Sequence, residues 1–218
     1  MSKQPKEYKK RTGLRQKADY SSKFRHRTLI CVLENPKNLT NVGTVLRNID
    51  TLGISKLYVV DGHNLLPSNW QDMRSNKYLN CVSSSAVKWA YVRRFESTSQ
   101  CFEHLKRKHY QSVVTSPHKS DSVKNTYLSE GTFTTHHLAI WFGNETHGIS
   151  KEAVQKSDQC IQIETCGIVE SMNLAVSTGI VLYFIAQQRR HFCKNIKESK
   201  KNIDKTLTKW ESKSNNGK

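Results

Sequence analysis

The chain has 218 residues and a formal net charge of +17 at pH 7, so it is long enough to bury one sizeable hydrophobic core. The charge is concentrated at the two ends: residues 1–27 hold ten Lys/Arg and two Asp/Glu, residues 189–218 hold ten and three, and residues 28–188 hold fifteen and thirteen. A nearly neutral domain with two basic arms favours a polyanionic partner such as nucleic acid, and the alternative is a pair of solvated tails that aid solubility.

The cysteines and the apolar runs exclude several classes of protein. The six cysteines, at positions 31, 81, 101, 160, 166 and 193, form no C-x-x-C pair, and several lie in apolar runs. This pattern predicts reduced thiols in a cytoplasmic protein and argues against a disulfide framework or a zinc site. The longest apolar run, residues 174–186, is too short to span a bilayer, and the charged N-terminus has no hydrophobic signal core. We therefore expect a cytoplasmic protein without a membrane partner.

The hydrophobic pattern between the arms alternates between strands and helices. It predicts short buried strands at residues 28–33, 56–61, 87–92, 111–115, 137–142 and 160–163. It predicts helices that begin near Asn41 and stop at Gly53, that cover residues 97–109 and 150–155, and that begin at residues 171–173. Residues 65–85 are predicted to be a long loop with a short helical piece, and residues 118–136 a polar loop. This alternation predicts an α/β fold, a parallel sheet with helices on both faces.

The two basic arms differ in pattern. Residues 1–27 are predicted to be a partly helical or flexible N-terminal extension, whose aromatics Tyr8, Tyr20 and Phe24 would either stack on bases or anchor the arm to the domain surface. Residues 191–218 are predicted to be an amphipathic basic helix and tail, because apolar residues recur near a 3.5-residue period with lysines between them; these are Phe192, Ile196, Ile203, Leu207 and Trp210. Such a helix would pack on the domain or a partner subunit while its lysines meet an RNA backbone, and a membrane-surface helix is the competing interpretation.

Polar side chains stand where predicted strands end and helices begin. Asn41 is predicted to cap the first helix, which places Arg47 one or two turns further along, near the edge of the sheet where open α/β folds bind ligands. An ordinary surface arginine is the alternative for Arg47. Ser171 and Asn173 are good N-caps for the last helix, where a capped core helix with a polar entry loop is the plainer interpretation. Gly179 within that helix predicts close packing of two backbones.

Several common site motifs are missing from the sequence. No G-x-G-x-x-G follows the first predicted strand, so a dinucleotide site is not supported, and there is neither a Walker A loop nor a hydrolase nucleophile elbow. The nine histidines are scattered, and His136, His137 and His147 do not have the spacing of metal ligands. The sequence therefore predicts no metal site.

Three polar stretches, taken together, resemble the motifs of a known enzyme family. They are N-L-T-N-V-G-T-V-L-R (38–47), F-G-N-E-T-H-G-I (142–149) and I-E-T-C-G-I-V-E-S-M-N-L-A-V-S (163–177). In order and spacing they resemble the three motifs of the SpoU/TrmH branch of the SPOUT RNA methyltransferases, and the likeness covers residues 28–190, the predicted methyltransferase domain. Each motif alone is a weak signal, whereas the three in order at the ends of predicted strands are specific.

The resemblance implies a fold, a cofactor and a reaction. Members of this family are similar in having a doubly wound α/β domain whose C-terminal segment passes through a loop and forms a deep trefoil knot, which periodicity cannot predict. They bind S-adenosylmethionine and act as homodimers, usually in ribose 2′-O-methylation of tRNA or rRNA. The basic C-terminal helix resembles the extensions of tRNA guanosine-18 methyltransferases, so guanosine 18 in the D-loop is the first expected target. A 23S rRNA ribose and a non-catalytic RNA-binding role are the alternatives.

The resemblance also implies site residues, position by position. Arg47 matches the family's catalytic arginine, Asn41 the asparagine that supports it, and Glu145 the carboxylate of the second motif. Ser171 and Asn173 match the polar pair that opens the last helix. Five further positions are expected to hold the methyl donor: Thr115, Gly143, Ile163, Met172 and Leu174.

The chain departs from the family pattern in two places. Residues 163–165 are I-E-T where many members have Ile-Pro-Met, and residues 171–173 are S-M-N where many have Ser-Leu-Asn. Met conserves the volume of Leu and should be tolerated, whereas Glu164 in place of Pro leaves a more flexible loop.

The implied chemistry constrains the role of Arg47. A ribose hydroxyl is a poor nucleophile that must lose its proton near the transition state, and a sulfonium makes the methyl electrophilic without a metal. The site must align hydroxyl, methyl and sulfur, which is mainly a proximity effect. Because a guanidinium stays protonated in proteins, we expect Arg47 to orient the substrate phosphate and stabilise the developing alkoxide, with help from a phosphate oxygen, instead of acting as a base.

Overall fold

The computed structural model describes the backbone of residues 13–215 and the side chains of residues 13, 16 and 18–194. The helices are α1 (Gly13–Ser22), α2 (Leu39–Thr51), α3 (Trp70–Ser75), α4 (Lys77–Val82), α5 (Thr98–Arg107), α6 (Lys151–Lys156) and α7 (Leu174–Asn215), with a 3-10 turn at Ala86–Lys88. The strands are β1 (His26–Glu34), β2 (Ile54–Val60), β3 (Tyr91–Phe95), β4 (Gln111–Thr115), β5 (Asn125–Tyr127), β6 (Leu138–Phe142) and β7 (Gln159–Gln162).

The seven strands form one sheet in the order β3-β2-β1-β6-β4-β7-β5, and every pairing is parallel. Side chains of a strand alternate between the two faces, and in β1 Leu29, Cys31 and Leu33 enter one core while Ile30 and Val32 enter the other. Helices α2, α4 and α7 pack on the first face, and α5 and α6 on the second. The predicted α/β fold with helices on both faces is therefore confirmed.

Most predicted strands and helices are confirmed to within two residues. Residues 65–85, predicted as a loop with one short helical piece, contain two helices, α3 and α4, and two further predictions are wrong. The apolar run at 87–92 is not one strand, because the chain turns through Ser84 and Ser85, with φ of 49° and 66°, into the 3-10 turn, and β3 begins only at Tyr91. Residues 118–136 are not only loop, because β5 pairs with β7 at the edge of the sheet. A three-residue polar edge strand leaves no hydrophobic pattern by which it could be predicted.

Helix α2 begins earlier than predicted, and a different asparagine caps it. Asn38 has extended backbone (φ −120°, ψ 118°), and its side chain accepts a hydrogen bond from the N–H of Thr40 at 2.8 Å. Asn41 therefore lies in the first turn, and the prediction that it caps the helix is wrong. The loop offers several asparagines, and the one with extended backbone before the first free N–H groups becomes the cap. The side chain of Asn41 is therefore free to make other contacts. At the other end of the helix, Gly53 (φ +76°) stops α2 as predicted.

Helix α7 runs without a break from Leu174 to Asn215, across the predicted boundary at residue 190. Its backbone is helical in the C-terminal arm, whereas the side chains that define the predicted amphipathic face beyond residue 194 lie outside the described residues. Gly179 faces α2, where an added Cβ would lie 3.3 Å from Nδ2 of Asn48, so its neighbour is a side chain and not the second backbone that the sequence predicted.

The segment 128–137 lies across helix α7 and is bonded to it. The side chain of Gln188 accepts the N–H of Phe133 at 2.9 Å and donates to the carbonyl of Gly131 at 2.8 Å. The guanidinium of Arg189 donates to the carbonyl of His136 at 2.8 Å and to the hydroxyl of Thr28 at 3.0 Å. The helix is thus held between this segment and the start of β1.

The described part of the N-terminal extension contains α1 and a pair of exposed rings. Tyr20 and Phe24 are 65 % and 56 % exposed, with ring centroids 5.1 Å apart, so these rings do not anchor the arm by burial in the domain surface. Tyr8 lies outside the described residues. Arg25, which follows the pair, forms an ion pair with Asp50 of α2 at 2.5 Å.

All six cysteines are free thiols. Cys31, Cys101 and Cys160 are buried, and burial raises the pKa of each of these thiols, so they remain protonated. Within residues 13–215, no helix is long and apolar enough to cross a bilayer.

Candidate active site at the carboxyl edge of the sheet

A cavity of about 330 Å³ lies at the carboxyl ends of strands β4, β6 and β7. Three loops line it: residues 116–118 follow β4, residues 143–149 follow β6 and are named loop two, and residues 163–173 follow β7 and are named loop three. In open α/β sheets ligands bind outside the carboxyl ends of the strands, and cofactor pockets measure roughly 300–1,000 Å³. The cavity therefore has the position and the size of a small-molecule site.

Loop two is a tightly bonded turn. The backbone groups of Asn144 and Gly148 bond to each other in both directions, at 2.8 and 2.9 Å. The side chain of Asn144 accepts the N–H groups of Thr146 at 2.8 Å and His147 at 3.1 Å. Gly143 lies so close to the returning chain that an added Cβ would be 2.1 Å from the carbonyl carbon of Gly148. The shape of the loop is therefore fixed by its own backbone, and only glycine fits at position 143.

The carboxylate of Glu34, at the end of β1, fixes the exit of loop two. Glu34 is 2 % exposed, and its oxygens accept bonds from Thr98 Oγ1 (2.5 Å), from the N–H of Ser150 (2.8 Å) and from Ser150 Oγ (2.7 Å). The adjacent residue, Asn35, accepts a bond at its carbonyl from the side chain of Asn144. The end of β1 therefore holds loop two at two points.

Loop three has far fewer contacts. All side chains from residue 164 to residue 173 are exposed, and Ile168 and Val169 project fully or largely into solvent. Among the described residues, the side chains of loop three before Asn173 make one hydrogen bond, from Ser129 Oγ to Glu164 at 2.8 Å, and one loose ion pair, between His118 and Glu170 at 3.9 Å. The two walls of the cavity thus differ in how firmly they are held.

Three residues predicted from separate motifs are joined by hydrogen bonds. Asn41 donates from Nδ2 to Oε1 of Glu145 at 2.8 Å and accepts at Oδ1 from Nδ2 of Asn173 at 3.2 Å. Asn173 also accepts the N–H of Ala175 at 2.8 Å, so it caps α7 as predicted. Asn41 therefore connects loop two and loop three to helix α2.

The environment of Glu145 keeps it ionised. Its second oxygen accepts the N–H of Lys37 at 2.9 Å. Partial burial raises the pKa of Glu145, but the bonds from the Asn41 side chain and from backbone N–H groups outweigh burial and hold the pKa of this carboxyl below its ordinary value. An ionised Glu145 is an acceptor only at neutral pH, so it orients Asn41 and does not donate a proton.

Arg47 and Ser171 are exposed and stand apart from this hydrogen-bonded chain. Arg47 lies on α2 six residues after Asn41, which places the two side chains about 120° apart around the helix. Within the described residues, the guanidinium of Arg47 has neither a hydrogen bond nor an ion pair. The next residue, Asn48, donates to the carbonyl of Ala175 at 2.9 Å and fixes α2 against the start of α7. Ser171 lines the cavity.

The residues expected to hold the methyl donor all line the cavity, and they are Thr115, Gly143, Ile163, Met172 and Leu174. Glu145 and Ser171 line it too, whereas Asn41, Asn173 and Arg47 do not. The structure thus brings seven of the ten predicted residues to one cavity and two more, Asn41 and Asn173, to its hydrogen-bonded border. Arg47 lies neither in the cavity lining nor in this hydrogen-bonded border.

Sequence reasoning missed three residues of this site. Glu34 was not anticipated, because its partners Thr98 and Ser150 are far from it in the chain. Asn144 lies inside the second motif, which could have marked it as a turn-forming residue. His118 lines the cavity after Ser116 and Pro117. It belongs to none of the three motifs, so the sequence gives no sign that it lies at the site. In the part of the chain that the structure describes, no three His, Cys, Asp or Glu side chains are grouped as a metal site requires.

A parallel α/β sheet with a cofactor-sized cavity between polar loops at its carboxyl edge is typical of enzymes that bind a small-molecule cofactor. The model of the SpoU rRNA methylase family matches residues 28–183, and the chain belongs to this family.

Individual relatives agree with this assignment. The tRNA (guanosine(18)-2′-O)-methyltransferase of Aquifex aeolicus (strain VF5) is 27 % identical over 188 residues, which cover 85 % of this chain and 82 % of the relative. The crystal structure of the A. aeolicus TrmH/SpoU tRNA modifying enzyme has a TM-score of 0.68 and 26 % identity, over 90 % of this chain and 95 % of that chain. The SpoU methyltransferase AviRb from Streptomyces viridochromogenes, in complex with the cofactor AdoMet, shares the fold with a TM-score of 0.64 and 22 % identity, over 77 % and 62 % of the two chains.

Proposed function

We propose that this protein is an S-adenosylmethionine-dependent RNA ribose 2′-O-methyltransferase that acts on tRNA, at guanosine 18 of the D-loop. The observation that carries the proposal is the chain Glu145–Asn41–Asn173, which joins all three motifs beside one cofactor-sized cavity. The name of the A. aeolicus relative supports tRNA and guanosine 18. The family description refers to rRNA, so a 23S rRNA ribose is the less favoured alternative.

The cavity fits S-adenosylmethionine in size and in the character of its walls. Ile163, Met172 and Leu174 supply apolar surface for a purine, while Thr115 and Gly143 lie at strand ends where backbone groups are accessible. Gly143 lets the backbone of loop two return along the wall without a side chain in the way. When bound, this donor supplies an electrophilic methyl group on a sulfonium, and the reaction needs no metal.

The residues of this chain supply orientation and charge. Arg47, exposed and unpaired within the described residues, binds the phosphate beside the target ribose and stabilises the negative charge that develops on the 2′-oxygen. The proton of the 2′-hydroxyl leaves to a phosphate oxygen of the RNA or to water, because a guanidinium does not accept one. Asn41 and Glu145 hold loop two against α2, Asn173 joins the end of loop three to Asn41, and Ser171 lines the cavity.

The first test separates chemistry from donor binding. Arg47→Ala should abolish methyl transfer from labelled donor to unmodified tRNA, while calorimetry finds donor affinity within about threefold of wild type, since Arg47 does not line the cavity. The control Thr51→Ala, one turn away on α2, should keep its activity. Wild-type turnover in Arg47→Ala would refute the assigned role.

The second test identifies the substrate. Wild-type protein is incubated with labelled donor and either total unmodified tRNA or rRNA, and the methylated nucleotide is mapped. Label at guanosine 18 of tRNA supports the proposal, and label in rRNA alone favours the alternative. A protein that binds RNA, takes up no donor in calorimetry and transfers no methyl would be a non-catalytic RNA-binding member of the family.

The proposal includes a homodimer. Val176, Ile180 and Tyr183 share one exposed face of α7, because they are spaced at i, i+4 and i+7. Ile168 and Val169 of loop three are exposed apolar residues as well. A second copy of the chain would cover this face and would help to fix loop three. Sedimentation should give a dimer for wild type and a monomer for Ile180→Asp, and a monomeric wild type would contradict this part.

The proposal also includes the predicted domain limits, 28–190, and basic arms at 1–27 and 191–218 that contact RNA in the cytoplasm. It further includes the family's trefoil knot. Between β4 and β6 the chain travels to the sheet edge at β5 and returns across α7, where Gln188 and Arg189 bond to it. This path favours a loop that encloses the helix. A crystal structure with residues 128–137 wholly to one side of α7 would contradict the knot, and cell fractionation tests the location.

A further inference from the structure

Tyr78, which no predicted motif contains, presents an exposed aromatic ring beside the candidate site. Its hydroxyl bonds to Thr40 Oγ1 at 2.8 Å, and its side chain is 53 % exposed. Thr40 precedes Asn41, the residue that joins the three motifs. Tyr78 is therefore attached to the helix turn from which the site is organised, with most of its ring facing solvent.

The position of this ring is fixed by the packing of α4 on α2. An added Cβ at Gly43 would lie 2.2 Å from Cγ2 of Val82, so the side chain of Val82 in α4 packs directly on the backbone of α2 at this glycine. Leu79, next to Tyr78, is fully buried, and Asn76 caps α4 by accepting the N–H of Leu79 at 2.9 Å. An exposed aromatic ring held this firmly loses little conformational entropy on binding a ligand.

The charges around the ring suit a polyanion. Lys37, exposed, donates from Nζ to Thr146 Oγ1 at 3.0 Å and so stands between loop two and the start of α2. Lys77 and Arg74 are exposed on α4 and α3, and Arg74 lies over the ring of Trp70 at 4.7 Å. The nearby carboxylate of Glu145 is occupied by the Asn41 amide and the Lys37 N–H. Exposed aromatic rings among cations are the surface that stacks on the bases of single-stranded RNA.

The spacing along α2 indicates which base this would be. Thr40 and Arg47 are seven residues apart, on the same side of the helix and about 10 Å apart along its axis. If Arg47 binds the phosphate beside the target ribose, the ring of Tyr78 is too far away to contact that same ribose. It is suitably placed for a neighbouring nucleotide in an unpaired loop.

We propose that a base flanking the methylated nucleotide stacks on the ring of Tyr78, while Lys37 contacts the RNA backbone next to it. This inference rests on the proposed function for the identity of the ligand. It assigns to the segment between β2 and β3 a role in substrate binding that is separate from donor binding.

The experiment compares Tyr78→Ala and Tyr78→Phe in the full-length chain, with unmodified tRNA and labelled donor. Tyr78→Ala should raise the KM for tRNA and weaken equilibrium tRNA binding about 10-fold, because losing one stacked base costs about 1–3 kcal/mol. Its kcat should stay within about twofold and its donor affinity, measured by calorimetry, should be unchanged. Tyr78→Phe keeps the ring and should remain within about threefold of wild type.

The matched control is Tyr127→Ala, which removes a comparably exposed tyrosine from the edge strand β5. An unchanged KM and tRNA affinity in Tyr78→Ala, or an equal loss in Tyr127→Ala, would overturn the inference while the proposed function stands. If wild type binds tRNA through Tyr78 but transfers no methyl, the proposed function fails and the stacking surface remains. If wild type neither binds nor methylates tRNA, the proposed function and the stacking inference both fail.

Discussion

Loop two and loop three line the same cavity, yet they are built in opposite ways. Loop two closes on itself through the paired backbones of Asn144 and Gly148 and is bonded to the end of β1 through Glu34 and Asn35. Loop three projects its side chains into solvent from residue 164 to residue 173, and only its last residue, Asn173, is bonded into the domain on both sides.

The contrast indicates how the site is assembled. The wall made by loop two is complete in the single chain, so it is preorganised for a ligand. The wall made by loop three has exposed apolar surface and few bonds, so the single chain holds it less firmly. Substitutions in loop two should therefore reduce stability, whereas substitutions in loop three should change ligand affinity without unfolding the domain.

The largest effect is expected at Gly143 in loop two, and Gly167 in loop three is its matched comparison. Gly143→Ala would place a Cβ 2.1 Å from the backbone of Gly148 and Ile149, and we expect the free energy of unfolding to fall by about 3–5 kcal/mol. Gly167→Ala in loop three meets no atom closer than 4.0 Å and should change stability by less than about 0.5 kcal/mol. Urea denaturation of the two variants makes the comparison, and equal losses would show that the loops do not differ.

The next largest effect is expected at Glu34. Glu34→Ala removes the acceptor of three hydrogen bonds from Thr98 and Ser150, so the free energy of unfolding should fall by about 3 kcal/mol. Glu34→Gln should recover only part of this loss, because hydrogen bonds to a neutral amide are weaker than those to a carboxylate. Full recovery in Glu34→Gln, measured by thermal unfolding, would mean that the carboxylate is not needed.

A smaller effect should depend on pH. Because the pKa of Glu145 is held below its ordinary value of 4.5, ionised Glu145 stabilises the folded chain; this contribution is complete above the ordinary value and is lost as the pH falls through the lowered one. Because the side chain is largely exposed, this contribution to the free energy of unfolding should be under about 1 kcal/mol. The stability difference between wild type and Glu145→Gln should be constant near pH 7 and shrink below pH 4.5. A difference that grows with acid would contradict the ionised state.

The smallest effect is expected at Glu164 in loop three. Its single side-chain bond, from Ser129, joins two exposed loops, so Glu164→Ala should weaken donor binding about threefold at most and leave unfolding unchanged. Calorimetry with S-adenosylmethionine measures the donor affinity, and thermal unfolding measures the stability. A large loss of stability would indicate that loop three is held as firmly as loop two.

The features that the sequence predicted correctly are those that a local pattern or the order of the motifs indicates. The seven residues that line the cavity were named by the resemblance to a family, whereas the strands of the core, the capping role of Asn173 and the stop at Gly53 came from local patterns. These features are encoded within a few residues of where they act. The resemblance to a family added the donor, the reaction and the roles of the site residues.

The remaining features depend on contacts between distant parts of the chain. The insertion of β6 between β1 and β4 is a choice among many strand orders, and no local pattern encodes it. Glu34 is an ordinary polar residue at a strand end until Thr98 and Ser150 arrive from far along the chain. The choice of Asn38 over Asn41 as the cap was decided by backbone angles that a loop with several asparagines does not reveal.

The bond between Asn41 and Asn173 spans 132 positions of the chain, and this separation has a consequence for protein synthesis. A ribosome makes Asn41 long before Asn173, and one core face of the sheet contains Val181 and Leu182 of α7, so that face cannot close until the last helix has been made. A nascent chain without these residues therefore lacks both this part of the core and one wall of the cavity. The cavity is completed only near the end of translation, together with the core that supports it.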